Sequence, residues 1–193
     1  MCVTSGARFT GKKIANRRYN RTENNFLMGF LEKDGNVTVT ELARMMGVAR
    51  STFYYHHKNL PQAVRDYKVC VLSDYCQLIQ KMFDKNTAMM KIFLGMLVFM
   101  MSHRRAFLVL VRVGVKDVFV EMVEMLRPKV EKFAKLPKDS EKIFNIYVYE
   151  VAGILKIWVE EGMPEEKMKI VLDDLMYLTN TINERLGFLE REH

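Results

Sequence analysis

The chain has 193 residues, of which 49% are apolar and 27% charged, with a formal net charge of +7. That apolar share can build a sizeable core and argues against a disordered chain. The longest apolar run, Ile92 to Met101, is ten residues long, too short to cross a hydrocarbon layer of roughly 30 Å as a helix.

The first residues lack the continuous apolar stretch of a signal peptide. The three cysteines (Cys2, Cys70 and Cys76) stand at no metal-ligand spacing, and His56, His57, His103 and His193 form no cluster with them. The expectation is therefore a cytoplasmic protein with reduced thiols and no metal or other cofactor. No nucleophile–base arrangement and no glycine-rich phosphate loop is visible, so an enzyme is not expected.

The charge is placed unevenly. Residues 1–60 hold ten Lys or Arg against four Asp or Glu, whereas residues 61–193 hold twenty against nineteen. Nearly all of the basic excess thus sits in the first third, as a footprint for a polyanion. Residues 1–21 form an arm with six Lys or Arg and no acid, and Arg17, Arg18 and Arg21 can neutralise phosphates and release counterions.

A first helix is predicted from Thr22 to Gly35, with Phe26, Phe30 and Leu31 facing inward and Asp34-Gly35-Asn36 as the stop. Thr38 and Glu41 then have the spacing of a capping box, so a second helix opens there with Leu42, Ala43 and Met46 on its inner side. Gly47 supplies the left-handed cap that ends it, and Val48 fills the turn. A third helix is predicted from about Ala49 to His56. It buries Phe53 and leaves Arg50, Ser51, Thr52, Tyr54, Tyr55 and His56 outside. A face of hydroxyls, aromatics and a guanidinium without a carboxylate suits phosphates and base edges. This is a helix-turn-helix whose last helix would enter a DNA major groove.

Leu42-Ala43, Gly47-Val48 and Thr52-Phe53-Tyr54-Tyr55-His56, followed by Lys58-Asn59, resemble the signature of the tetracycline-repressor (TetR) family of transcriptional regulators. The likeness covers about residues 20–65. It implies a DNA-binding unit with Arg50, Ser51, Thr52, Tyr54 and Tyr55 at base edges and nearby backbone. Thr38, Thr40, His56 and Lys58 would touch phosphates, and Arg17, Arg18 and Arg21 would add charge. Three positions depart from the family pattern. Ala49 stands where a Ser cap is usual, His57 where an aromatic packs inward, and Leu60 where a Lys meets the phosphate backbone.

Beyond Pro61 a long helix is predicted to about Phe83, with an inner stripe of Val64, Tyr67, Lys68, Val71, Tyr75, Leu78 and Met82. In the family this element links the DNA-reading unit to the ligand domain. Helices over Thr87–His103 and Arg105–Gly114 follow. Pro128 predicts a kink, or two shorter helices, within Lys116–Leu136. The abundant methionines favour an adaptable interior, in which Met89, Phe93, Met96, Leu97, Met100, Phe119, Met122 and Tyr147 would line a lipophilic cavity for a small hydrophobic effector.

Asp139-Ser140 should cap a helix that reaches Gly162 and carries an apolar stripe at Ile143, Tyr147, Val151, Ile154 and Trp158, with a second at Phe144, Val148, Leu155 and Val159. A last helix repeats Met168, Leu172, Leu175, Thr179, Ile182 and Leu186 at alternating spacings of four and three. Two apolar sides on one helix leave one for another molecule, so the first stripe and the last-helix seam are expected to form an intermolecular four-helix bundle.

The sequence thus predicts an all-α homodimer. Its parts are a basic arm (1–21), a helix-turn-helix DNA-binding domain (22–65) and a ligand-binding and dimerisation bundle (66–193). The function the resemblance implies is sequence-specific binding of a palindromic operator in double-stranded DNA, as a repressor released by a hydrophobic effector. A helical module that regulates through a protein partner, with little specific DNA binding, is the alternative.

Overall fold

A computed structural model describes residues 26–33, 35–134 and 141–189. The chain is all-α, with no strand among the described residues. The first helix, α1, is described over 26–32; its start, and the Asp139-Ser140 cap, lie outside the described residues. Gly35 ends α1, taking φ 84° and donating to the Phe30 carbonyl at 2.9 Å.

Helix α2, Val39–Met46, opens on the expected capping box at Thr38 and Glu41 and closes on Gly47 at φ 69°. Helix α3 spans Arg50–His56. Helix α4, Leu60–Asp84, starts one residue before the predicted Pro61, because Asn59 caps it by accepting from the Gln62 amide at 2.9 Å. Next come α5 (Met89–Ser102) and α6 (Arg104–Arg112), bent by 78° at His103. No single described helix is long and apolar enough to cross a membrane.

The segment around Pro128 forms two helices, α7 (Asp117–Glu124) and α8 (Arg127–Ala134). Proline lies in the first turn of α8, where its missing amide proton costs nothing. Helices α9 (Glu141–Glu160) and α10 (Met168–Leu189) complete the chain, joined by Gly162 at φ 87° and a short 3-10 turn over Glu165–Lys167.

One continuous apolar core runs from Phe26 to Leu175 and includes both ends of the predicted domain division. Helix α9 packs on α6, α7 and α10, and α10 also covers α5 and α8. Arg127 ties this region together by pairing with Glu124 and lying 3.9 Å over the Phe144 ring.

The first helices are joined to the middle of the chain by specific polar contacts. Arg112 donates to the Leu31 carbonyl at 2.8 Å, which fastens α6 to the end of α1. Lys68 on α4 donates to Asp117 at 2.8 Å and to Glu121 at 2.7 Å on α7. The Lys68 side chain is 13% exposed. Burial alone would lower its pKa, but the two carboxylate hydrogen bonds outweigh burial and raise it. The same bond holds the Asp117 carboxyl below its ordinary value.

The signs give a test. Asp117 contributes stability above its unfolded pKa that is lost as pH falls through its lower folded value, in a window below about pH 4. Lys68 contributes below its unfolded value and loses it as pH rises through a folded value above about 10.4. Asp117 is largely exposed, so solvent screening limits the effect to about 1 kcal/mol or less. Urea unfolding at a series of pH values should show a shallower acid limb for Asp117→Asn than for the parent chain; coincident curves would remove Asp117 from the account.

Candidate nucleic-acid interface

Local sequence builds this region. The capping box fixes where α2 begins, and Gly47 reverses the chain within a few residues by donating to the Ala43 and Arg44 carbonyls. Leu42 and Ala43 on α2 and Phe53 on α3 are buried against each other's surroundings at 0%, 3% and 3% exposure. Burying Phe53 fixes the rotation of α3, so the rest of its surface points outward. Arg50, Ser51, Thr52, Tyr54, Tyr55 and His56 are all exposed, as are Thr40 and Lys58.

The exposed face has internal order. The Arg50 guanidinium lies 5.5 Å from the Tyr54 ring centroid, a cation–π distance, and its Nη2 reaches the Tyr54 hydroxyl at 3.5 Å. Tyr54 in turn meets Phe53 edge to face at 5.6 Å, and Tyr55 meets His56 likewise at 5.0 Å. Tyr55 is 86% exposed, an unusual position for so large a ring. No Asp or Glu occurs between Glu41 and Asp66, whereas Arg44, Arg50, Lys58 and Arg65 do. The segment is therefore cationic over the whole of α3 and both its flanks.

His57 does not join this face. It is half-buried, packs on Phe53 at 5.4 Å and holds Asp66 of α4 through Nδ1 at 2.9 Å, so it docks α3 on α4. It fills the inward aromatic position and adds a polar tether. Leu60 is partly buried against the core.

Thr38, one of the expected phosphate contacts, is engaged by the capping box. Its hydroxyl proton goes to Glu41 Oε2 at 2.8 Å, and its oxygen accepts from the Glu41 amide at 3.2 Å. A phosphate needs a donated proton, and this hydroxyl has no second one. The adjacent carboxylate is also kept ionised, because hydrogen bonds from the Thr38 backbone and side chain lower the Glu41 pKa. Arg17, Arg18 and Arg21 lie outside the described residues.

Ala49 has the extended backbone of a helix cap, φ −70° and ψ 148°, with no side-chain cap bond. Ala49→Ser should therefore stabilise the chain by about 1 kcal/mol, read as a higher urea midpoint. A lower midpoint would mean that the hydroxyl is not accommodated at that turn.

In the helical bundle, Met89, Phe93, Met96, Leu97, Met100, Phe119, Met122 and Tyr147 are all buried, at 3% exposure or less. They belong to one core with Phe26, Leu42 and Phe53 of the first three helices. Tyr147 is held by polar contacts. The Thr179 hydroxyl donates to the Leu175 carbonyl at 2.7 Å, so the bond between Tyr147 and Thr179 at 2.9 Å has the phenol as donor. Burial pushes the Tyr147 pKa up to about 12. Among the described residues no group of three or more His, Cys, Asp or Glu could hold a metal ion.

The predicted contact surface for a second copy needs correction. Tyr147, Val151, Trp158, Leu175 and Thr179 are at most 2% exposed within the chain itself, and Ile154, Met168, Leu172 and Ile182 are partly buried against its core. Ile143 is half-buried, and the side chain of Leu186 lies outside the described residues. The predicted seam is thus mainly the internal packing of α9 on α10. Both predicted stripes of α9 face inward, because this helix is covered by α6, α7 and α10 together. What remains outside is a third stripe, Ile146, Tyr149 and Ile157, together with Ile170 and Tyr177 of α10, each 57–70% exposed. Gly153 lies among them, and a Cβ built there would meet nothing within 4 Å.

No protein-family model, no curated protein and no solved structure matches the chain.

Proposed function

We propose that the chain is a sequence-specific DNA-binding regulator of transcription, acting as a dimeric repressor. One observation carries the reading: the acid-free face of α3, on which Phe53 is turned inward and Arg50, Ser51, Thr52, Tyr54 and Tyr55 are held outward. Helix α3 inserts in a major groove. Arg50 is suited to guanine edges, Thr52 and the tyrosines to thymine methyls and nearby backbone, and Thr40, His56 and Lys58 to phosphates. The basic arm, with Arg17, Arg18 and Arg21, adds non-specific affinity.

A second copy docks on the outer face of α9 and α10. Five large apolar side chains exposed on two neighbouring helices exceed what scattered surface residues explain, and the open face at Gly153 lets another helix approach closely. A two-fold pair then presents two copies of α3 to the two halves of a palindrome. The alternative, regulation through a different protein partner, would use the same outer face. It predicts a chain that stays monomeric alone.

The test is binding of the purified chain to duplex DNA taken from upstream of its own gene, titrated with salt. Tight binding to one segment, weakening steeply with salt, supports the proposal. Equal affinity for that segment and for random duplex of the same length contradicts it.

A further inference from the structure

Tyr75 lies in the middle of α4 with no exposure, and its hydroxyl is the one buried side-chain polar atom without a hydrogen-bond partner among the described residues. Leaving such a donor unmade costs more than burying a phenylalanine of the same shape, so the hydroxyl calls for a reason. Tyr147, similarly enclosed, has its Thr179 partner. Tyr75 has none, although burial pushes its pKa far up and makes the neutral donor form the only relevant one.

The surroundings of Tyr75 are adaptable. Its ring lies 5.4 Å from Phe99 of α5. Two turns further along the same face of α4, Met82 rests on Gly95 of α5. A Cβ added to Gly95 would come within 2.9 Å of the Met82 sulfur and methyl. The α4–α5 seam is thus closed at one end by a flexible thioether on a bare backbone and at the other by two aromatic rings. Met96 and Met100 are buried on the same helix, α5, and thioethers repack at low cost.

We propose that the α4–α5 seam at Tyr75 is the effector site, and that it takes a small, mainly apolar molecule with one hydrogen-bond acceptor, which receives the Tyr75 proton. This inference rests on reading the bundle as a regulatory domain. It adds the anchor and the ligand class. It also gives a route to the DNA-proximal helices. Tyr75 is seven residues from Lys68, so the ligand anchor and the bridge to Asp117 and Glu121 share a face of one helix.

The test uses the full chain without DNA and two probes of nearly equal shape, acetophenone and ethylbenzene, which differ by a carbonyl in place of a methylene. Methyl-13C methionine spectra follow binding to the parent and to Tyr75→Phe. Acetophenone should shift buried methionine methyls saturably. The ratio of its dissociation constant to that of ethylbenzene should worsen about five- to tenfold in Tyr75→Phe, the size of one net hydrogen bond. The unliganded Tyr75→Phe chain should be at least as stable as the parent. Absence of saturable binding by either probe, discrimination that survives Tyr75→Phe, or a clear loss of stability in the unliganded variant would each overturn the site. Because DNA is absent, the two readings fail separately. A chain that binds an operator but neither probe keeps the regulator reading and loses this one. Tyr75-dependent probe binding without any operator leaves the ligand site standing alone.

Discussion

Thr52→Ala and Tyr54→Ala are each expected to weaken binding to the specific operator by about 10- to 100-fold, the size of one to two good base contacts. The loss should be selective. Neither residue carries a charge, so the dependence of affinity on salt, which counts neutralised phosphates, should keep its slope. Tyr54→Ala should be the more damaging. Its ring supports the Arg50 guanidinium at 5.5 Å, so truncation also releases the side chain that the proposed function assigns to a base edge. Tyr54→Phe keeps the ring and should fall between the parent and Tyr54→Ala. Both positions are exposed, so urea midpoints should move little. Competition binding against random duplex measures the selectivity; an equal loss on both DNAs would mean that the α3 face adds only non-specific affinity.

The second large effect concerns assembly. Ile146 and Ile157 lie three helical turns apart on the outer face of α9, 59% and 57% exposed. In a two-fold dimer each is buried once per protomer and so twice per assembly. At about 1.5 kcal/mol or more per buried aliphatic side chain, the double variant Ile146→Arg/Ile157→Arg should raise the dimer dissociation constant by about four orders of magnitude. The helical circular dichroism should be unchanged. Operator affinity should fall with dimerisation, since the second head then binds as a separate molecule. Sedimentation velocity at micromolar chain concentration reads the change directly. A double variant that sediments as the parent does would move the self-contact away from α9. The same experiment on Trp158 would be uninformative, because that ring is buried inside its own chain.

What could be read from the sequence divides by distance along the chain. The capping box at Thr38 and Glu41, the left-handed Gly47 and the break before Pro128 each depend on neighbours within a few residues, and each forms as the local chemistry requires. The orientation of α3 follows from Phe53 alone, its only buried residue, which is why its outward face was legible. Thr38 shows the limit of such local reading. The capping box was visible, but its consequence for the hydroxyl proton emerges only when both bonds to Glu41 are seen together.

The longer-range features were not legible. Helix α9 is apolar on three sides, and periodicity marks stripes without saying which neighbour covers each. The enclosure by α6, α7 and α10 decides that Tyr147, Val151 and Trp158 point inward and Ile146, Tyr149 and Ile157 outward. Lys68 reads as a tolerated stem on an apolar stripe; its partners Asp117 and Glu121 are 49 and 53 residues away. Tyr75 occupies an ordinary inner position by spacing, and only the packed interior reveals that its hydroxyl meets no acceptor.

These features describe one mechanical line. The end of α3 is docked on α4 by His57 and Asp66, and α4 is held to α7 by Lys68 and to α5 through Tyr75, Phe99, Met82 and Gly95. Under the proposed function, a molecule seated at that seam would alter the placement of α3 only if it bound one position of α4 better than another.

Under the proposed function, two copies of α3 read two halves of one DNA site. Selection of bound sequences from a random duplex pool, using the full chain at moderate salt, tests it most directly. Enrichment of one inverted repeat is expected, with two protomers on each selected duplex. A pool that stays random after repeated rounds, or enrichment of a single unrepeated element bound by one protomer, would contradict it.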